Sequence, residues 1–229
     1  MESLEQEKTP ERIEYENAVF NENYSPLNLV MYFDEKYPNI YNQDAGVWEG
    51  YTIGQHTVFV LTQFEKYFSF RELPADIHVN TFRTILALHD VGKHDAILEG
   101  DKNLQHKYTK EYVREFFKEQ HFSKKETDLA IELVSGDSLG KYLRGMVPKE
   151  QILKEVLGSA ERTGISPLEY FDLLTIFFRV DAGSYTEDAG ALKSLDEKFV
   201  FDHKNRYLGF SSLTIDKVEE LRAVFLEKV

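Results

Sequence analysis

Leu86-Ala87-Leu88-His89-Asp90-Val91-Gly92-Lys93 is the stretch on which the reading of this chain turns. Upstream of it Ile77, Phe82, Ile85, Leu86 and Leu88 recur at helical spacings. An apolar helix with Pro74 near its start therefore runs into an imidazole, a carboxylate, a glycine and a cation. Burying that many polar groups at one helix end requires a compensating partner. A divalent cation supplies it: neutral imidazole and carboxylate are both good ligands, and adjacent residues at a helix end converge on one ion more readily than residues in mid-helix.

Working outward, the same alternation of apolar helix and polar break continues. Ile53, Val58, Val60, Leu61, Phe64, Tyr67 and Phe68 predict a helix from Tyr51 that carries His56 and is broken by Leu73-Pro74-Ala75-Asp76. Before it, Tyr24 to Tyr41 reads as an irregular arm with a short helix, and the first 22 or so residues as a polar, frayed or surface-lying lead. After the polar loop Glu99 to Asn103, a helix follows through Tyr108, Tyr112, Val113, Phe116 and Phe117, with His106 at its beginning. Ser123 and Glu126 form a capping-box pattern ahead of Leu129, Ile131, Leu133 and Val134, in a helix expected to stop near Gly136-Asp137. Gly140 to Gly145 reads as a short turn and Lys149 to about Gly164 as a helix.

Ser166-Pro167 opens the strongest apolar segment, Leu168 to Val180, whose end delivers Asp181 just before Gly183. Beyond Thr186 the pattern gives a helix over Leu192 to Phe199, a loop or small hairpin over Phe201 to Phe210, and a closing amphipathic helix from Leu213 to Lys228. The expectation is an all-α fold: an N-terminal arm over residues 1–49, a helical core over 50–184, and a C-terminal helical extension of the same domain over 185–229.

Composition narrows the chemistry. The 229 residues contain 27 Lys and Arg against 40 Asp and Glu, a formal charge of −13, so non-specific nucleic-acid binding is disfavoured and a small phosphorylated substrate is favoured. The absence of cysteine excludes thiolate metal sites and leaves His, carboxylate and water as ligands. The acidic start MESLEQEKTPERIEYEN lacks a signal-peptide pattern and no apolar run is long enough to span a bilayer. A cytoplasmic location and no membrane partner are expected. Oligomeric state is not encoded in these features.

His56, His89-Asp90 and Asp181, in that order and on successive helices, resemble the pattern of the HD-domain metal-dependent phosphohydrolase superfamily. The resemblance covers about Gly50 to Ser184. It implies an HD-like helical bundle in which His56, His89, Asp90 and Asp181 bind a divalent metal (Mn, Fe, Co, Ni, Mg or Zn) and activate water for hydrolysis of a phosphomonoester or phosphodiester, with a nucleotide or nucleotide-like substrate. His-Asp-x-Gly-Lys followed by His106 at a helix start looks like the branch that includes the HD domains of tRNA nucleotidyltransferases and cyclic-dinucleotide phosphodiesterases. Several departures stand against a closer assignment. Gly136-Asp137 occupies the place of a frequent histidine pair, there is no Gly-Tyr-Pro triplet, Lys93-His94-Asp95 replaces the Glu-Asp of alarmone hydrolases, and Lys93 stands where small deoxynucleotidases carry a catalytic Glu.

On this reading Asp90 and Lys93 are catalytic, and Lys93, His106 and Arg144 contact substrate, with Asp137 a further candidate ligand. Each has a plainer explanation. His56 alone reads as a satisfied core histidine, Lys93 as a cation neutralising a helix end, and His106 as a helix cap. The aromatic run from Tyr170-Phe171 to Phe177-Phe178 reads as core packing. The alternative function is a metal-stabilised ligand-binding or regulatory HD domain without turnover.

Overall fold

The protein is described by a computed structural model over residues 8–45, 50–187 and 197–227. It is predominantly helical, with a single antiparallel hairpin among the described residues. In chain order the longer elements are α1 (Pro10–Val19), α2 (Pro26–Lys36), α3 (Ile53–Tyr67), α4 (Val79–Leu88), α5 (Lys93–Leu98), α6 (Gln105–Glu119), α7 (Lys124–Leu133), α8 (Ser138–Leu143), α9 (Lys149–Thr163) and α10 (Pro167–Glu187). The hairpin β1 (Phe199–Asp202) and β2 (Tyr207–Phe210) and a last helix, α11 (Ile215–Leu226), follow.

Caps written in the sequence set the helix starts. Thr52 and Gln55 close a capping box at α3, Ser123 and Glu126 another at α7, and Ser166 and Glu169 exchange the same bonds at α10. Thr9 and Ser25 cap α1 and α2, each ahead of a proline at the first turn. α3 and α10 pack against each other at the centre. Ile53, Val60, Leu61, Phe64 and Tyr67 of α3 and Phe171, Leu173 and Val180 of α10 are buried in one cluster that extends from Tyr15 to Phe225.

The structure corrects several expectations. The polar lead contains a regular helix, α1, while the short helix expected in the arm is α2. Tyr15 hydroxyl meets Thr84 Oγ1 at 2.7 Å, and the Arg12 guanidinium, 4% exposed, holds Glu16 and Thr81 while lying over Phe122. A buried arginine held by these partners leaves no apolar period to read. Pro74 opens only a 3-10 turn in which Ala75 and Asp76 have positive φ, and α4 begins at Val79 with the His78 ring as cap. Gly140 lies inside α8, a helix where a turn was expected. Most of the helix expected over Leu192 to Phe199 lies outside the described residues, and Phe199 itself begins β1.

The correction that bears most on function concerns α10. It continues through Asp181 and Gly183 to Glu187, so Asp181 sits within the helix and not at its end. Gly183 is no terminator: a Cβ there would meet Leu208 Cδ2 at 3.3 Å, so the glycine lets the hairpin lie close against the helix.

Candidate metal centre

Three segments far apart in sequence deliver the site. His56 projects from the first turns of α3, where it is 1% exposed. His89 caps the C-terminus of α4, and Asp90 follows in the turn before α5. Asp181 comes from α10, with Phe177 and Tyr185 one turn to either side on the same face. Gly92 makes the turn possible. A Cβ at that position would stand 2.2 Å from Thr109 N and 2.4 Å from Gln105 O, and its own N–H donates to Thr109 Oγ1 at 3.1 Å. The His-Asp turn is thereby pressed onto the start of α6 at a distance only glycine permits.

The polar atoms converge tightly. His56 Nε2 and His89 Nε2 are 3.2 Å apart. Asp181 Oδ1 is 3.0 Å from the first and 3.7 Å from the second, and Asp90 Oδ2 is 3.4 Å and 3.3 Å from the same two nitrogens. Ligands about 2.1 Å from one ion are roughly 3.0 Å apart at adjacent octahedral positions and roughly 3.4 Å apart in a tetrahedron. The observed spacings lie in that range or just beyond it. Among the described residues His56, His89 and Asp90 form a group that can hold a metal ion, and Asp181 Oδ1 borders the same space.

The protonation chemistry agrees. His89 Nδ1 lies 2.6 Å from Leu86 O, and since a carbonyl only accepts, Nδ1 carries the proton and Nε2 faces the cluster. Burial pushes the His89 pKa down, but the charges and hydrogen bonds of Asp90 and Asp181 prevail and lift it to about 10. Burial works to raise the carboxyls of Asp90 and Asp181. It is outweighed by His89 and Lys93 at Asp90, and by His56 and His89 at Asp181, and both are held well below the ordinary carboxylate range. Positive charge is thus favoured at the point where the two Nε2 atoms meet, whether as a proton or as a metal ion. His56 Nδ1, by contrast, is buried without a hydrogen-bond partner.

Other candidate residues are placed as follows. Lys93 Nζ donates to Asp90 Oδ2 at 2.6 Å, and although burial lowers its pKa, Asp90 raises it further, so the ammonium stays charged. A chamber of about 170 Å³ opens beside the cluster, lined in part by Asp90, Lys93, His106, Asp137, Asp181 and Tyr185. His106 contributes to that wall with its Nδ1 on Val134 O at 3.1 Å. Asp137 caps α8 and pairs with Arg144 at 2.6 Å, and the arginine is outside the lining. Tyr185 was not read from the sequence: its ring stacks on His56 at 4.6 Å and its hydroxyl is 3.3 Å from His56 Nε2. The signal was the i, i+4 spacing from Asp181, hidden by ending the helix too early. Phe177, read as core, stands edge-on to His89 at 6.0 Å.

Comparison with protein-family models, with curated proteins and with solved structures gives no match. No helix of the described residues is long and apolar enough to cross a membrane.

Proposed function

We propose that this chain is a metal-dependent phosphohydrolase of the HD type, acting on a small phosphorylated compound of nucleotide-like character. One observation carries the reading. Two imidazole nitrogens 3.2 Å apart are each 3.0–3.7 Å from an oxygen of Asp90 and an oxygen of Asp181, on three distant segments, beside a chamber that also presents a charged lysine. His56, His89, Asp90 and Asp181 hold the cation. A divalent ion bound there supplies Lewis acidity and lowers the pKa of water. The remaining work falls to the chain's own side chains. Asp181, 35% exposed against 14% for Asp90 and free of Lys93, accepts the proton from the attacking water, and Lys93 offsets charge on the phosphoryl oxygens. The chamber is smaller than the roughly 300–1,000 Å³ that encloses a whole drug-sized ligand, so the substrate enters by its phosphoryl end.

A non-catalytic metal-stabilised module is the second reading, and one observation favours it. The two cations assigned to phosphate are both engaged by carboxylates, Lys93 by Asp90 and Arg144 by Asp137. Elemental analysis of untagged protein, with turnover of nucleotides, cyclic nucleotides and an aryl phosphate under added metals, separates the two. The hydrolase reading expects bound metal and turnover, both lost in His89→Ala. Stoichiometric metal with no turnover selects the module, and full activity in His89→Ala refutes the metal site.

A further inference from the structure

Among the described residues, four arginines are not exposed: Arg12, Arg83, Arg179 and Arg222. Three of them hold carboxylates, Arg12 on Glu16, Arg83 on Glu65 and Arg222 on Asp172. Arg179 holds none. Its Nε donates to Thr175 O at 3.1 Å, Nη1 to Leu208 O at 2.9 Å and Nη2 to Thr175 Oγ1 at 3.5 Å, and its guanidinium lies 4.8 Å and 5.5 Å from the ring centres of Phe68 and Phe210. A guanidinium has five N–H donors, so one remains on each terminal nitrogen. That pair is the fork that a carboxylate or phosphate bridges with two oxygens. A half-buried cation without a paired carboxylate is costly, and in a chain with a formal charge of −13 there is no shortage of carboxylates to supply one.

The space beside it explains the omission. Arg179 lines a chamber of about 350 Å³ on the side of α10 turned toward the hairpin and α11. Phe171, Ile176, Ile215 and Val218 give this chamber an apolar wall. Arg71, an exposed residue, also lines it, and its guanidinium is bonded to a carbonyl, Arg206 O at 3.1 Å, and not to a carboxylate. Glu72 and Glu219 border the chamber without pairing with either arginine, and Asp172 is taken up by two 3.0 Å bonds from Arg222. We infer that this chamber binds a small organic anion, with its oxyanion head on Arg179 and Arg71 and an apolar body against Ile176 and its neighbours. The inference does not depend on the phosphohydrolase reading.

Calorimetric titration of the full chain, stripped of metal with a chelator, tests it with benzoate and phenyl phosphate, and with inorganic phosphate as the probe lacking a body. Saturable one-to-one binding of the organic anions is expected, with inorganic phosphate at least tenfold weaker. Arg71→Ala should weaken binding about tenfold at an unchanged melting temperature, and Arg179→Lys, which keeps the charge and loses the fork, should weaken it further. If Arg179→Lys does not fold, Arg71→Ala decides alone. No saturable binding overturns the inference. So does binding that survives Arg71→Ala undiminished but is lost in His89→Ala, because the anion then belongs to the His-Asp chamber.

Discussion

Asp181 and Arg179 are two residues apart on one helix, yet they line different chambers and sit among different partners. On the Asp181 side two carboxylates and two imidazoles crowd together with one ammonium, and the arrangement calls for a cation. On the Arg179 side a guanidinium is held by carbonyl and hydroxyl oxygens alone, and the arrangement calls for an anion. Residues i and i+2 do not share a face of a helix. A continuous α10 therefore separates the two charges through its own diameter, where a helix ending at Asp181 would have left the carboxylate on a loop.

The contrast can be broken most severely from the cation side. Gly92→Ala forces a Cβ against backbone atoms of α6, and urea denaturation should show a loss of about 3 kcal/mol, toward the upper end for overpacking. Metal retention should fall with it. An unchanged unfolding midpoint would mean that the turn can back away from Thr109. Asp181→Asn removes charge with little change of shape, and direct metal titration should show affinity lower by about 100-fold, or about 2.7 kcal/mol. Anion binding in the Arg179 chamber should not change, and a parallel loss in both would show that the two chambers are not separate. Tyr185→Phe keeps the ring on His56 and deletes the hydroxyl, so metal affinity or turnover should change by about tenfold, whereas a purely stacking role predicts no change.

The smallest effect sharpens the contrast between paired and unpaired arginines. Glu65 carries Arg83 through two 2.7 Å bonds and accepts from Tyr24; burial raises its pKa, but these partners lower it below 4.5 on balance. A depressed carboxyl stabilises the fold above its unfolded pKa, and that stability is lost as pH falls through the folded value. Melting temperature should therefore drop on acidification below about pH 4.5. Glu65→Gln should flatten that part of the profile. Arg179, with no carboxylate to protonate, contributes no such slope.

Much of this arrangement was legible in the sequence, because caps and apolar periods are local. The capping pair Ser123/Glu126 places α7, and the spacing from Ile53 to Tyr67 places α3 and fixes where His56 stands. What escaped depends on contacts between distant segments. Gly183 reads as a stop signal until the packing of Leu208 against it is known, and ending α10 there hid Tyr185. Gly92 likewise reads as a helix terminator, although its requirement comes from Thr109 and Gln105 on another helix. Arg12 reads as a surface charge in a polar lead, and only Thr81, Glu16 and Phe122 around it show why α1 is ordered.

The unbroken course of α10 has a mechanical side. The helix runs for 21 residues, and at a rise of about 1.5 Å per residue Asp181 and Arg179 are separated by about 3 Å along its axis. They are fixed to the same rigid rod. An occupant of one chamber can therefore act on the other only by displacing the whole rod, against the packing of its buried side chains.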